Sequence, residues 1–181
     1  MSRPDWSTLY TLAASQDGYV TTSQATEAGY SRPLLDHHVK SGRIQRVHRG
    51  IYRLRDFPAT DNEDLVVAWL WSDQQGVVSH ETALLLHGLS DVLPARVHLT
   101  LPPAWRSRRI IVPPLLHLHY ADISKAERTW AGPVPVTTPL RTISDCVADH
   151  VQPDLLEQAI RDGLRRGLFS EAELIAVGVY R

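Results

Sequence analysis

An α+β chain in two parts is the fold class the sequence predicts, and three observations carry it. Apolar residues switch between helical and alternating spacing several times along 181 residues, which is room for one small and one medium domain. In the later part the strands come in runs rather than in strict alternation with helices, which favours α+β over a parallel α/β sheet. Charge is also segregated: residues 31–55 hold seven Lys/Arg and one acid, whereas residues 56–95 hold seven acids and no base. The step falls at Arg55-Asp56-Phe57-Pro58-Ala59-Thr60-Asp61, a stretch of turn formers. The boundary is expected there, giving domains at 1–55 and 61–181.

In the first part, Leu9, Leu12 and Ala13 recur at helical spacing, with Asp5 as the cap and Asp17-Gly18 as the stop. Tyr19-Val20 is a strand stub. Thr21 or Thr22 caps a second helix, Ser23 to Ala28, which Gly29 closes. Ser31 caps a third, Arg32 to Ser41, ended by Gly42. Two short helices joined by a three-residue turn containing Gly form a helix-turn-helix. Arg43 to Val47 and Ile51 to Arg55 then alternate around His48-Arg49-Gly50, which reads as a β-hairpin. A hairpin directly after the second helix of such a pair is a wing, so the first part is predicted to be a winged helix-turn-helix. Ile44 and Val47 fall on opposite faces of their strand, so the hairpin needs a bulge or buries only one of them.

That arrangement has a use. Leu35 and Val39 face the core, which leaves Arg32, Pro33, Asp36, His37 and Lys40 on the outer face of the third helix, where major-groove contacts are made. The helix N-terminus beside Arg32 offers donors to phosphate. Arg43, Arg46, Arg49, Arg53 and Arg55 lie on the wing, to meet phosphates or the minor groove, which positions more than it reads. The DNA-binding set is therefore Arg32, Pro33, His37, Lys40, Arg43, Arg46, Arg49 and Arg53. Asp36 repels phosphate but can accept from a cytosine amino group. The overall charge of −1 hides this basic face.

In the second part, Glu63 to Asp73 is a helix apolar around most of its circumference. Strands are expected at Val77-Val78, Arg96 to Leu101, Ile110 to Val112, Leu115 to Tyr120 and Val134 to Val136. Ser79 caps a helix from His80 to His87, stopped by Gly88. Pro139 and Pro153 open two further helices at a favoured first position, and Ser170-Glu171-Ala172-Glu173 opens the last.

Chemistry is sparse in this part. His80-Glu81-Thr82-Ala83-Leu84 lacks the second histidine of the zincin pattern. His80 and His87 are two turns apart and cannot share one ion without a bend. His117 and His119 share a strand face, but spacing fixes no third ligand, so solvated strand histidines are the expectation and neither a metal nor another cofactor is assigned. Cys146 sits in an apolar helical stretch and reads as a small core residue. There is no Gly-x-Ser-x-Gly elbow and no Walker loop, and Arg141 with Asp145 reads as an i,i+4 ion pair. No catalytic residue is assigned, and the chain is not expected to be an enzyme.

Composition bounds the rest. With 43% apolar and 22% charged residues the chain is globular rather than disordered. One cysteine allows no intrachain disulfide and fits a reducing cytoplasm. No run of eighteen apolar residues is available to span a membrane, and Met1 to Trp6 has no apolar core of the signal-peptide kind. A cytoplasmic location is expected. Three readings stand: a DNA-binding regulator, a protein-interaction module whose acidic segment Asp56 to Asp91 docks a basic partner, and a nuclease-related enzyme.

Several stretches together resemble the AbiEi family, the antitoxins of type IV toxin–antitoxin systems and their stand-alone regulator relatives. They are Gly18-Tyr19-Val20-Thr21-Thr22, Gly29-Tyr30-Ser31-Arg32 and Gly42 to Tyr52 in the first part. In the second they are Val78-Ser79-His80-Glu81-Thr82-Ala83, Gly88-Leu89, Val97-His98-Leu99-Thr100 and Thr137 to Asp145. The resemblance implies a winged helix that binds operator DNA and represses its own promoter. It also implies a C-terminal domain that opposes a nucleotidyltransferase-type toxin. A single small module binds with modest affinity, so double-stranded DNA with repeated half-sites is the expected partner, met by a weak dimer or by cooperating monomers.

Overall fold

The computed structural model describes residues 4–180, and the fold is α+β in two compact units, Met1–Gln74 and Gln75–Arg181. The first unit begins with α1 (Trp6–Ala14), whose N-terminus is held by Asp5 accepting from the Ser7 N–H at 2.9 Å. Then come β1 (Tyr19–Thr21), α2 (Thr22–Glu27), α3 (Arg32–Lys40), β2 (Ile44–His48), β3 (Ile51–Leu54) and α4 (Glu63–Trp71). Thr21 and Gln24 close a capping box on α2, each side chain satisfying the other's backbone N–H.

The three strands form an antiparallel sheet in the order β1-β3-β2. Leu9, Ala13, Val20, Ala25, Leu35, Ile44, Tyr52 and Leu54 form the core between this sheet and the first three helices. The register of β2 on β3 shifts between Arg46 and His48, a bulge, which is one of the two outcomes left open by the opposite faces of Ile44 and Val47. Ile44 is buried and Val47 is left exposed on the bulge.

The unit extends past the boundary at 55–61 that charge predicted. Its division from the second unit falls at 74/75, so α4 belongs with the sheet. Glu63 on α4 accepts from the Tyr19 hydroxyl at 3.0 Å and pairs with Arg53 at 3.1 Å. Burial and the Glu63 hydrogen bond push the Tyr19 phenol up to about 12. The charge step marks a change of surface, and the apolar girth of α4 packs against β1 and β3 across it.

The second unit comprises β4 (Val77–Val78), α5 (His80–Leu86), β5 (Val97–Leu101), β6 (Leu116–Tyr120), β7 (Arg128–Ala131), β8 (Val134–Thr137), α6 (Pro139–Ala148), α7 (Pro153–Arg165) and α8 (Glu171–Ala176). Its sheet is mixed, in the order β6-β5-β4-β8-β7. β5 runs parallel to β6 and β4 parallel to β8, and the other two pairings are antiparallel. Two strand expectations change. Residues 110–112 are irregular, with Ile111 exposed, because the flanking Pro113-Pro114 supplies no N–H for a ladder. Arg128–Ala131 is an unforeseen edge strand, exposed over Arg128, Thr129 and Trp130.

The helices pack through Leu84, Leu89, Ile143, Cys146, Ala159, Phe169 and Leu174. Cys146 is fully buried in this cluster, and burial pushes its thiol far above the ordinary range. The native chain is therefore expected to react with a disulfide thiol reagent at least ~10³-fold more slowly than the unfolded chain, since attack requires opening of a stable unit. Fast labelling in native buffer would overturn the packing of α6. No helix among the described residues is long and apolar enough to cross a membrane.

Candidate nucleic-acid interface

The interface is built on α3 and the β2–β3 hairpin. Ser31 accepts from the Leu34 N–H at 3.4 Å and starts α3, and Leu35 anchors its inner side at zero exposure with Val39 packed beside it. The outer side therefore shows Arg32, Pro33, Asp36, His37 and Lys40, all exposed. The anion-binding capacity of this helix start is smaller than its position suggests. Pro33 has no N–H and Ser31 occupies that of Leu34, so Arg32 supplies the donors there, through its amide and its guanidinium.

His38 turns inward against Trp6 and Tyr30, with ring centroids 5.9 and 5.7 Å away. Burial lowers its pKa, and the neighbouring charges of Arg43 and His37 lower it further. Arg43 lays its guanidinium over Trp6, 5.0 Å from the ring centroid, and stays exposed. That contact orients a cation at the C-terminal end of α3 while leaving its hydrogen-bond donors outward. On the wing, Arg46 and Arg49 are exposed, as is Arg55 at the end of β3. None of Arg32, Lys40, Arg46, Arg49 and Arg55 forms an ion pair among the described residues. These cations are thus available to an outside anion.

Arg53 is the exception among the residues assigned from the sequence. Its side chain is only 14% exposed. It pairs with Glu63, donates to the Phe57 carbonyl at 3.0 Å and lies against the Tyr19 ring. The cause is the position of β3 at the centre of the sheet, with the core on one face and α4 on the other. Alternation places Arg53 on an outer face, but that face is covered, so its charge is spent inside the unit. Arg55, which the hairpin carries past the end of the sheet, is the free cation of that strand.

The second unit assembles residues that spacing had left apart. In the parallel register His98 pairs with His117 and Thr100 with His119, so His98 joins the strand pair that the sequence showed. α5 adds His80, whose ring stacks on that of His119 with centroids 3.5 Å apart. His80 has φ +52°, a left-handed conformation costing a non-glycine residue about 1–2 kcal/mol. Ser79 stands at the N-cap of α5, as expected, but makes no capping bond. Its hydroxyl instead meets His80 Nδ1 at 2.9 Å and Thr100 Oγ1 at 2.7 Å. Nearby, Arg141 donates to Asp145 at 2.7 Å, the anticipated i,i+4 pair, and also to Glu127 at 2.6 Å. Ser124 and Arg141 hold the Glu127 carboxyl well down, at about 2.

Comparison with known proteins supports the two halves differently. The chain superimposes on the crystal structure of the RV2827C protein from Mycobacterium tuberculosis with a TM-score of 0.60 at 18% identity, covering 96% of this chain and 70% of that one. At that identity the likeness shows a shared fold. No curated protein matches the chain. A family model described as "Transcriptional regulator, AbiEi antitoxin" matches residues 7–55, which run from α1 through the hairpin. Over that stretch the chain is similar to the AbiEi-antitoxin family of transcriptional regulators.

Proposed function

We propose that the chain is a sequence-specific DNA-binding repressor of the antitoxin type, which occupies the operator of its own operon and counteracts a nucleotidyltransferase-type toxin. The observation that carries the DNA-binding part is the set of exposed, unpaired cations on α3 and the hairpin, in helix-turn-helix-wing order. Arg32, Pro33, His37 and Lys40 face the major groove, with Arg43 at the rear of the helix. Arg46 and Arg49 take phosphates, with Arg55 in the place first given to Arg53. Residues 1–55 carry the contacts, and α4 buttresses them from behind.

Binding rests on phosphate neutralisation for strength and on α3 for choice of sequence. The operator is double-stranded DNA with repeated half-sites, read by two chains. The test is a mobility-shift series against the DNA upstream of the chain's own reading frame, across salt concentrations. A retarded complex whose affinity falls linearly on a log–log plot is expected. Arg49→Ala should weaken binding to every sequence alike and reduce the salt slope by about one. Absence of any complex at low salt would sink the reading. Rescue of growth on co-expression with a neighbouring nucleotidyltransferase tests the toxin partner separately.

A further inference from the structure

The histidine cluster of the second unit lies outside everything used so far. His80, His98 and His119 each bring one ring nitrogen to within 4.8 Å of the other two. We propose that these three residues form a binding site for one divalent transition-metal ion of the Zn²⁺ class, with a fourth position open to the adjoining cavity.

The ring nitrogens are already sorted for that role. His98 has its Nε2 3.3 Å from the Glu81 carboxylate, which favours the proton on this nitrogen and leaves Nδ1 to present its lone pair to the cluster. There Nδ1 faces His119 Nε2 at 3.1 Å. Two nitrogens bound to one tetrahedral zinc stand about 3.3 Å apart, given Zn–N bonds of about 2.0–2.1 Å. His80 has its Nδ1 on the Ser79 hydroxyl, which leaves Nε2 as its ligand atom. A carboxylate behind one ligand and a hydroxyl behind another form the outer shell that orients metal-binding imidazoles.

The surroundings suit a cation. An open cavity of about 430 Å³ adjoins the cluster, and its wall carries two carboxylates, Asp145 and Asp149, against one cation, Arg106, beside His117. Asp145 Oδ2 is buried there without a hydrogen-bond partner among the described residues. Three neutral imidazoles with a nearby carboxylate and room for water match the donor preference of Zn²⁺ rather than of Ca²⁺ or Mg²⁺. His117 supports the wall, its ring centroid 4.7 Å from those of His98 and His119, outside the set of three.

The test uses the full-length, untagged chain, stripped with chelator and titrated with Zn²⁺ against a chromophoric competitor, and with Co²⁺ by visible absorption. One Zn²⁺ per chain and cobalt bands of four-coordinate intensity are expected. His119→Asn, a change at a partly exposed ring, should abolish both. Glu81→Gln should weaken Zn²⁺ binding by ~10–100-fold. His117→Asn should keep the one-to-one stoichiometry. Failure of the wild-type chain to bind Zn²⁺ stoichiometrically overturns the proposal. Binding undiminished in folded His98→Asn/His119→Asn protein overturns it too.

Discussion

Replacing Gly163 with alanine is expected to destabilise the second unit, although alanine is the better helix former by about 1 kcal/mol. Gly163 lies buried inside α7, directly beneath the ring of Phe169. A methyl group at this position would stand 2.8 Å from Phe169 Cε2 and closer still to Cζ. Phe169 is itself buried among Leu84, Ile143 and Leu174, so the ring cannot step aside without opening a void or straining its neighbours. Overpacking of this kind costs about 1–3 kcal/mol, which should lower the melting temperature of a unit of this size by roughly 4–20 °C. Calorimetry on the intact chain reads this directly. Phe169→Leu in the same background should recover part of the loss, as two residues in contact do in a double-mutant cycle. An unchanged or raised melting temperature for Gly163→Ala would show that the ring does not seat over α7.

Legibility in the sequence followed the range of the interactions. Helix starts and stops in the first unit were readable because they are local: Asp5, Thr21 and Ser31 cap, and Gly29 and Gly42 take positive φ just past helix ends. The bulge at Val47 was readable for the same reason, as a conflict of period within one strand. What failed was pairing at long range. Arg53 looked exposed because alternation says which face a side chain takes, and not whether a helix from residues 63–71 will cover it. The histidine cluster was half visible as His117 and His119. Its completion needed β5 and β6 to run parallel, together with the left-handed turn at His80, neither of which any local pattern announces. A readable sign did exist: His98 and Thr100 alternate on the polar face of their strand as His117 and His119 do on theirs. The charge step misplaced the domain boundary because it tracks the surface of the molecule, whereas the boundary follows the apolar packing of α4.

The distinction between buried and free arginines leads to the largest expected effect on function. Alanine at Arg46, Arg49 and Arg55 together should lower DNA affinity on the order of 10²–10³-fold near 0.1 M salt and reduce the salt slope by about three. Each lost phosphate contact forfeits the release of about one counterion. The loss should be nearly the same for operator and unrelated DNA, because these residues position the chain and do not read bases. Arg53→Ala should behave in the opposite way. It removes a partly buried partner of Glu63 and the donor to the Phe57 carbonyl, so the first unit should melt earlier while the salt slope of the folded protein stays unchanged. Anisotropy titrations across salt, paired with melting curves of the same variants, separate the two. Equal slopes in wild type and triple variant would remove the wing from the interface. A reduced slope in Arg53→Ala would mean that the Glu63 pair opens to release this arginine to the phosphates.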